Sequence, residues 1–216
     1  MKLKYTFLAV CGLTVSAQAA IVVTTANQLS SPYAVSSTDL LNGLTPVAQS
    51  GNFNEEGCLG TPALTNGTYS DFAVASFASG DGSFNNGKFV TYLFSTTVNV
   101  SSVDVYGGWG NSGRDAISYS LEFSTNGGTT FGSAILSGLF NPVTTDNIPS
   151  ATKVSLSDDA GNLATGVNAI RINFLASENG FSGYSEIDVI GAIPEPSSLF
   201  LMGLGGLAAM GIRRRK

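Results

Sequence analysis

The chain has 216 residues, with ten Lys and Arg against fifteen Asp and Glu, and no histidine. Without imidazole, Ser-His-Asp and Cys-His catalysis are excluded, as is any zinc site that uses histidine. The two cysteines are too few for a thiolate zinc cluster.

In chain order, the first segment is "MKLKYTFLAVCGLTVSAQAA", with Lys2 and Lys4 ahead of an apolar stretch from Tyr5 to Val15. Ala17-Gln18-Ala19 then supplies the small-x-small pattern of a secretory leader, so residues 1–19 are expected to be removed after Ala19 by the Sec export route. Val10 precedes Cys11 where a lipoprotein would need a small residue, so lipidation is rejected. Cleavage leaves Cys58 as the only cysteine, which forbids an internal disulfide. Between residues 20 and 195 only Lys88, Arg114, Lys153 and Arg171 face all fifteen acids, a net charge of −11. Such a surface repels nucleic acid and attracts divalent cations.

The body is expected to form one all-β domain over 20–192. "DAISYSLEFST" alternates Ile117, Tyr119, Leu121 and Phe123 with polar residues, the period of a half-buried strand. "NAIRINFLA" and "YSEIDVIG" repeat the pattern, which puts Glu186 and Asp188 on a polar face opposite Ile187 and Val189. Further strands are expected at Ile21–Thr25, Phe72–Ala78, Lys88–Ser95, Val98–Tyr106 and Lys153–Leu156. Turn-rich stretches such as "YGGWGNSGRD" and "SDDAGN" separate them. Many short strands with no helical period indicate a β-sandwich. Asn66-Gly-Thr68 and Asn99-Val-Ser101 are formal glycosylation sequons, read here as coincidences of an Asn- and Ser-rich composition.

The chain closes on "IPEPSSLFLMGLGGLAAMGIRRRK". Ser197 to Ile212 is uncharged and spans about 24 Å as a helix, a little short of a bilayer core. Arg213, Arg214, Arg215 and Lys216 would then stay on the cytoplasmic side. Pro194 and Pro196 hold Glu195 extended just outside the membrane, a shape suited to a protease cleft. The 193–216 segment resembles the PEP-CTERM sorting signal. That resemblance implies recognition by an exosortase of a Gram-negative, exopolysaccharide-making bacterium, through Pro194, Glu195, Pro196 and the arginines 213 to 215. It also implies a transient inner-membrane anchor, then release to the cell surface or matrix.

Two resemblances fall in the body. "STNGGTTF" (124–131) looks like an Asp-box hairpin with Asn126 in place of Asp, a structural turn. The succession from Val98 to Gly191, "VDVYGGWGNSGRDAISYSLEFSTNGG … VNAIRINFLASENGFSGYSEIDVIG", is similar to the discoidin-type, galactose-binding-like jelly roll. "LTNGTYSD" upstream resembles that family's l-t-D-G element.

The jelly-roll resemblance implies a structural calcium between Asn66 and Glu186, weakened because a neutral amide replaces a carboxylate. Loop residues Tyr106, Trp109, Arg114, Phe181 and Tyr184 become candidate sugar contacts, since aromatic faces stack on sugars and a guanidinium donates paired hydrogen bonds. Buried packing is the better reading of Trp109, the only tryptophan of a sandwich of this size; Arg114 could equally pair with Asp115, and Glu186 could pair with Arg171 or face solvent.

These readings give an exported, non-catalytic surface or matrix protein associated with exopolysaccharide. The alternative is a calcium-dependent carbohydrate-binding module. A two-carboxylate glycosidase using Asp158-Asp159 or Glu55-Glu56 is disfavoured, because neighbouring residues on an extended chain point apart.

Overall fold

The computed structural model describes residues 20–79, 88–111, 113–175, 178 and 180–194. Among these there are eight strands and no α-helix. They are β1 (Ile21–Leu29), β2 (Ala48–Ser50), β3 (Lys88–Trp109), β4 (Tyr119–Ser124), β5 (Ile135–Leu136), β6 (Ser150–Asp158), β7 (Ala164–Phe174) and β8 (Tyr184–Ala192).

The architecture turns on β3. The sequence suggests two strands here, but the chain runs on for 22 residues. Its register against β7 shifts between Leu93 and Val98, at the STTVN stretch where apolar alternation lapses. The first half pairs with β2 and β7, and β7 continues to β4 and β5. The second half pairs with β6 and β8, and β6 continues to β1. One strand therefore serves two layers, all pairings being antiparallel. The layers meet face to face: the Tyr119 hydroxyl on β4 donates to the Val154 carbonyl on β6, 3.0 Å away. Val90, Tyr92, Leu121, Ile170, Ile172 and Phe174 from one layer pack in one buried cluster with Val103, Val105, Leu156, Ile187 and Val189 from the other.

The strongly periodic segments form strands where the sequence indicates. Phe72–Ala78 does not: Val74–Ser76 is a 3-10 turn. The Asp71 carboxylate accepts the Ala73 N–H at 3.0 Å and the Ser76 hydroxyl at 2.5 Å, and this local capping curls the chain. Cys58 is buried. Asn126 makes the Asp-box-like turn, its Oδ1 accepting the Thr130 N–H at 3.0 Å while Gly127 and Gly128 take φ of 70° and 79°.

β8 departs most from its sequence pattern. Ile187 and Val189 are in the core as expected, but Glu186 and Asp188 are also 0% exposed. The loop from Ser36 to Leu41 covers that second face, with the Leu40 N–H donating to the Val189 carbonyl at 2.9 Å. Period-two alternation reports which residues share a face; it cannot report that an irregular segment roofs the polar one.

Candidate functional site

Two constellations stand out, one on β8 and its covering loop, the other at and beyond the end of β3. In the first, Glu186 and Asp188 project from the roofed face of β8 and meet Asp39 from the covering loop. One ligand oxygen from each lies within 4.8 Å of the others. Each carboxylate spends one oxygen on the protein. Asp39 Oδ1 accepts the N–H groups of Leu41 and Val189 at 2.9 and 2.6 Å. Asp188 Oδ2 accepts the Ser36 N–H at 2.6 Å and the Tyr106 hydroxyl at 3.0 Å. Glu186 Oε2 accepts the Thr68 N–H at 3.2 Å. The other oxygen of each, Asp39 Oδ2, Asp188 Oδ1 and Glu186 Oε1, is buried with no hydrogen-bond partner among the described residues.

Three neighbouring buried carboxylates, each with one bare oxygen, are electrostatically incomplete. Burial pushes Asp39 up to about 6 and Glu186 up to about 8, with mutual repulsion adding to both. Asp188 is raised as well, again chiefly by burial. Either protons or a cation must supply the missing positive charge. Hard oxygen donors carrying up to three negative charges suit a divalent ion of the calcium type.

The sequence nominated Glu186 but missed Asp39 and Asp188. Asn66 adjoins through Thr68, but it is exposed, and its Oδ1 already accepts the Thr68 N–H at 2.9 Å and hydroxyl at 2.7 Å. The one available signal was the density of acids in "SEIDV", which alternation assigned to solvent. Glu186 does not pair with Arg171, whose guanidinium instead reaches Glu122 at 3.9 Å and stacks 4.1 Å from the Phe131 ring.

The second constellation centres on Arg114. Its guanidinium is layered between the Trp109 ring at 4.1 Å and the Phe181 ring at 4.3 Å. Nη1 donates to Glu55 Oε2 at 2.8 Å and to the Ser79 hydroxyl at 3.0 Å. Trp109 also packs on Phe77, with ring centroids 4.9 Å apart. The stack sits where β3 ends against the residues before β8. There a Cβ on Gly108, at φ +143°, would meet the Ser150 carbonyl at 2.0 Å, and one on Gly183 would meet the Gly108 carbonyl at 2.1 Å. Glycine is required at both positions for this close approach.

Of the five candidate sugar contacts, Trp109, Arg114 and Phe181 are thus brought together. Tyr106 and Tyr184 stand apart. Tyr106 is 2% exposed and bound to Asp188, and Tyr184 is 1% exposed, its hydroxyl donating to the Ser118 carbonyl at 3.2 Å. Burial removes the ring faces that stacking on a ligand would need. Arg114 does not pair with Asp115, whose two carboxylate oxygens are buried without a hydrogen-bond partner. Burial, then the neighbouring Glu178, raises Asp115 to about 7.

Residues 192–216 match the family model of the PEP-CTERM protein-sorting motif. The chain carries a PEP-CTERM sorting signal. Of the residues expected to be recognised, Pro194 is described and exposed; Glu195, Pro196, Arg213, Arg214 and Arg215 lie outside the described residues. So does the span expected over 197–212, and among the described residues no helix is long and apolar enough to cross a membrane.

No curated protein matches the chain. Among solved structures, it is similar to the lectin domain of lectinolysin complexed with Lewis B antigen, at 14% identity and TM-score 0.47, covering 74% of this chain and 100% of that one. It is also similar to an F5/8 type C domain from Bacteroides fragilis, at 15% identity, TM-score 0.42 and coverages of 77% and 90%. A third is the family 32 carbohydrate-binding module of C. perfringens NanJ in complex with galactose, at 14% identity, TM-score 0.37 and coverages of 76% and 92%.

Proposed function

We propose that this PEP-CTERM protein is an exported, non-catalytic surface or matrix component, processed by an exosortase and retained among exopolysaccharide. Its sandwich is held closed by a divalent cation. The sorting motif at 192–216 carries the reading, because it directs an all-β, acidic domain to the far side of the membrane. The carboxylate cluster supports the cation. Asp39, Glu186 and Asp188 would hold it, and it would supply the positive charge that three buried acids lack. Bound there, it ties the Ser36–Leu41 loop to β8. In that role calcium is structural.

The alternative, a carbohydrate-binding module proper, is favoured by the Trp109–Arg114–Phe181 stack at one end of the sandwich. A guanidinium fixed by two aromatic rings is pre-oriented, and the partly exposed Phe181 offers an edge for a sugar ring. The acidic pairs considered for hydrolysis have structural partners: Glu55 is bound by Arg114, and Asp159 accepts the Ala20 N–H at 2.8 Å.

The test is retention of the full chain, recovered from an exporting host, on the producer's own matrix polysaccharide with calcium and with EDTA. Retention without shortening of the polymer is the expected result, weakened by EDTA. Loss of retention in Phe181→Ala at unchanged thermal stability would select the binding-module alternative. No retention in either condition, or depolymerisation, would overturn the proposal.

A further inference from the structure

Strand β1 buries none of its side chains, and those that bond firmly, Asn27 and Gln28, lie at its far end, so the chemistry at its first residue matters. It lies at the end of the sheet, paired on one side only with β6. Six of its nine residues are exposed, none is buried, and none is charged. Its free end, however, is gripped. Ala20 N donates to Asp159 Oδ1 at 2.8 Å, and Asp159 N returns a bond to the Ala20 carbonyl at 3.2 Å. The next residue, Ile21, lies opposite Asp158.

The expected leader cut falls between Ala19 and Ala20. One residue therefore separates the cut from the strand, and the nitrogen that the cut would release is the one already held by Asp159. We propose that export processing at Ala19–Ala20 creates a docked N-terminus, in which the new α-ammonium of Ala20 forms an ion pair with Asp159 and clamps the open end of β1. Water hydrolyses the Ala19–Ala20 amide; the carboxylate leaves with the leader and the amine, protonated, stays with the sandwich. A neutral amide donor becomes a cation with three N–H bonds beside the Asp159 carboxylate.

The other elements packed on β1 do not oppose the pair. On β6, the only cation, Lys153, lies opposite Ala26, six residues along from Ala20, and its ammonium is paired with Asp104 of β3. β1 contributes no ionisable side chain. The folded ammonium therefore has a higher pKa than a free chain end. Its stabilisation is complete below the ordinary α-amino range near 8 and disappears as pH rises through the raised value.

The proposal rests on the export reading and not on any sugar or cation. Its test uses the full chain, expressed with its own leader in an exporting Gram-negative host and purified from the envelope in detergent. The N-terminal residue is read by mass spectrometry, and the α-amine is titrated by competitive acylation across pH 6–10. The expected result is Ala20 as first residue, with an amine titrating about half a pH unit above an unperturbed chain end, as an exposed pair allows. Asp159→Asn should abolish that elevation and speed amide exchange at the start of β1, while Asp159→Glu restores part of both. A leader that stays attached would overturn export and docking together. A cut at another residue, or an Ala20 amine titrating alike in the parent and Asp159→Asn, would overturn the docking alone.

Discussion

The carboxylate cluster and the arginine stack are both buried, both charged, and both built where an irregular segment meets the edge of β3 or β8. They differ in completeness. Around Arg114, the cation, its carboxylate partner Glu55, the Ser79 hydroxyl and two aromatic faces close a circuit within the chain. Around Glu186, three neighbouring acids each keep one buried oxygen with no hydrogen-bond partner among the described residues. The comparison teaches that burial of charge alone does not mark a binding site. The useful sign is a charge whose compensation must come from outside the chain.

Breaking the closed circuit should cost most. Arg114→Ala strands Glu55 and removes the layer between two rings, an expected loss of about 3–4 kcal/mol in unfolding free energy that is the same with calcium and with EDTA. Chemical denaturation in both conditions checks it. Trp109, the only tryptophan, should shift its emission in this variant and not on chelation.

Opening the incomplete site should cost somewhat less and should depend on pH. Saturating the cluster at a hundred times the dissociation constant stabilises by about 2.7 kcal/mol, so EDTA should lower Tm by roughly 5–10 °C. Without metal, Asp39 and Glu186 have folded pKa values raised to about 6 and about 8. Their protonated forms suit the fold, so stability in EDTA should be greatest near pH 4–5 and fall as pH rises through those values. Calcium competes with the same protons, and its stabilising effect should therefore grow over the same interval. Scanning calorimetry from pH 5 to 8.5, with and without metal, measures both slopes; parallel slopes would remove the cation from the cluster.

Glu186→Gln sharpens the contrast. It keeps an acceptor for the Thr68 N–H but deletes a buried charge, so at pH 8 the metal-free protein should gain about 1–3 kcal/mol while most of the calcium response is lost. Smallest of all is Asn66→Asp. Its oxygen is already committed to Thr68, and the expected change in calcium-dependent Tm is under about 1 °C, since an exposed charge contributes little.

How far the sequence could be read depended on periodicity. β7 and β8 were legible because Ile170, Ile172 and Phe174, and then Ile187 and Val189, repeat at the pleat period and are all 0% exposed. β2 and β5, three and two residues long, are too short to show a period at all. The site was legible only where a residue was tied to a recognisable strand motif, as Glu186 was. Asp39 reaches it from an irregular loop, paired across 150 positions with Val189, and no local pattern encodes so distant a meeting. Arg114 and Phe181 were legible as loop residues of suitable chemistry, whereas Trp109, read as a loop residue, closes β3. What the sequence could not show is that they would satisfy one another first.

The last strand has a consequence for the whole chain's timetable. β8 lies between the core and the roofing loop, brings two of the three cluster acids, and ends at Ala192, the residue at which the sorting motif begins. Two residues, at most about 7 Å of extended chain, carry the fold from there to Pro194. On the proposed export route the body therefore cannot finish assembling until nearly all of it has been threaded across, and once assembled it leaves almost no tether between the finished sheet and the Pro-Glu-Pro step. A protease acting at that step, as proposed, would work flush against a folded wall, and maturation of the domain and access to such a cleavage site would become a single spacing problem set by one strand end.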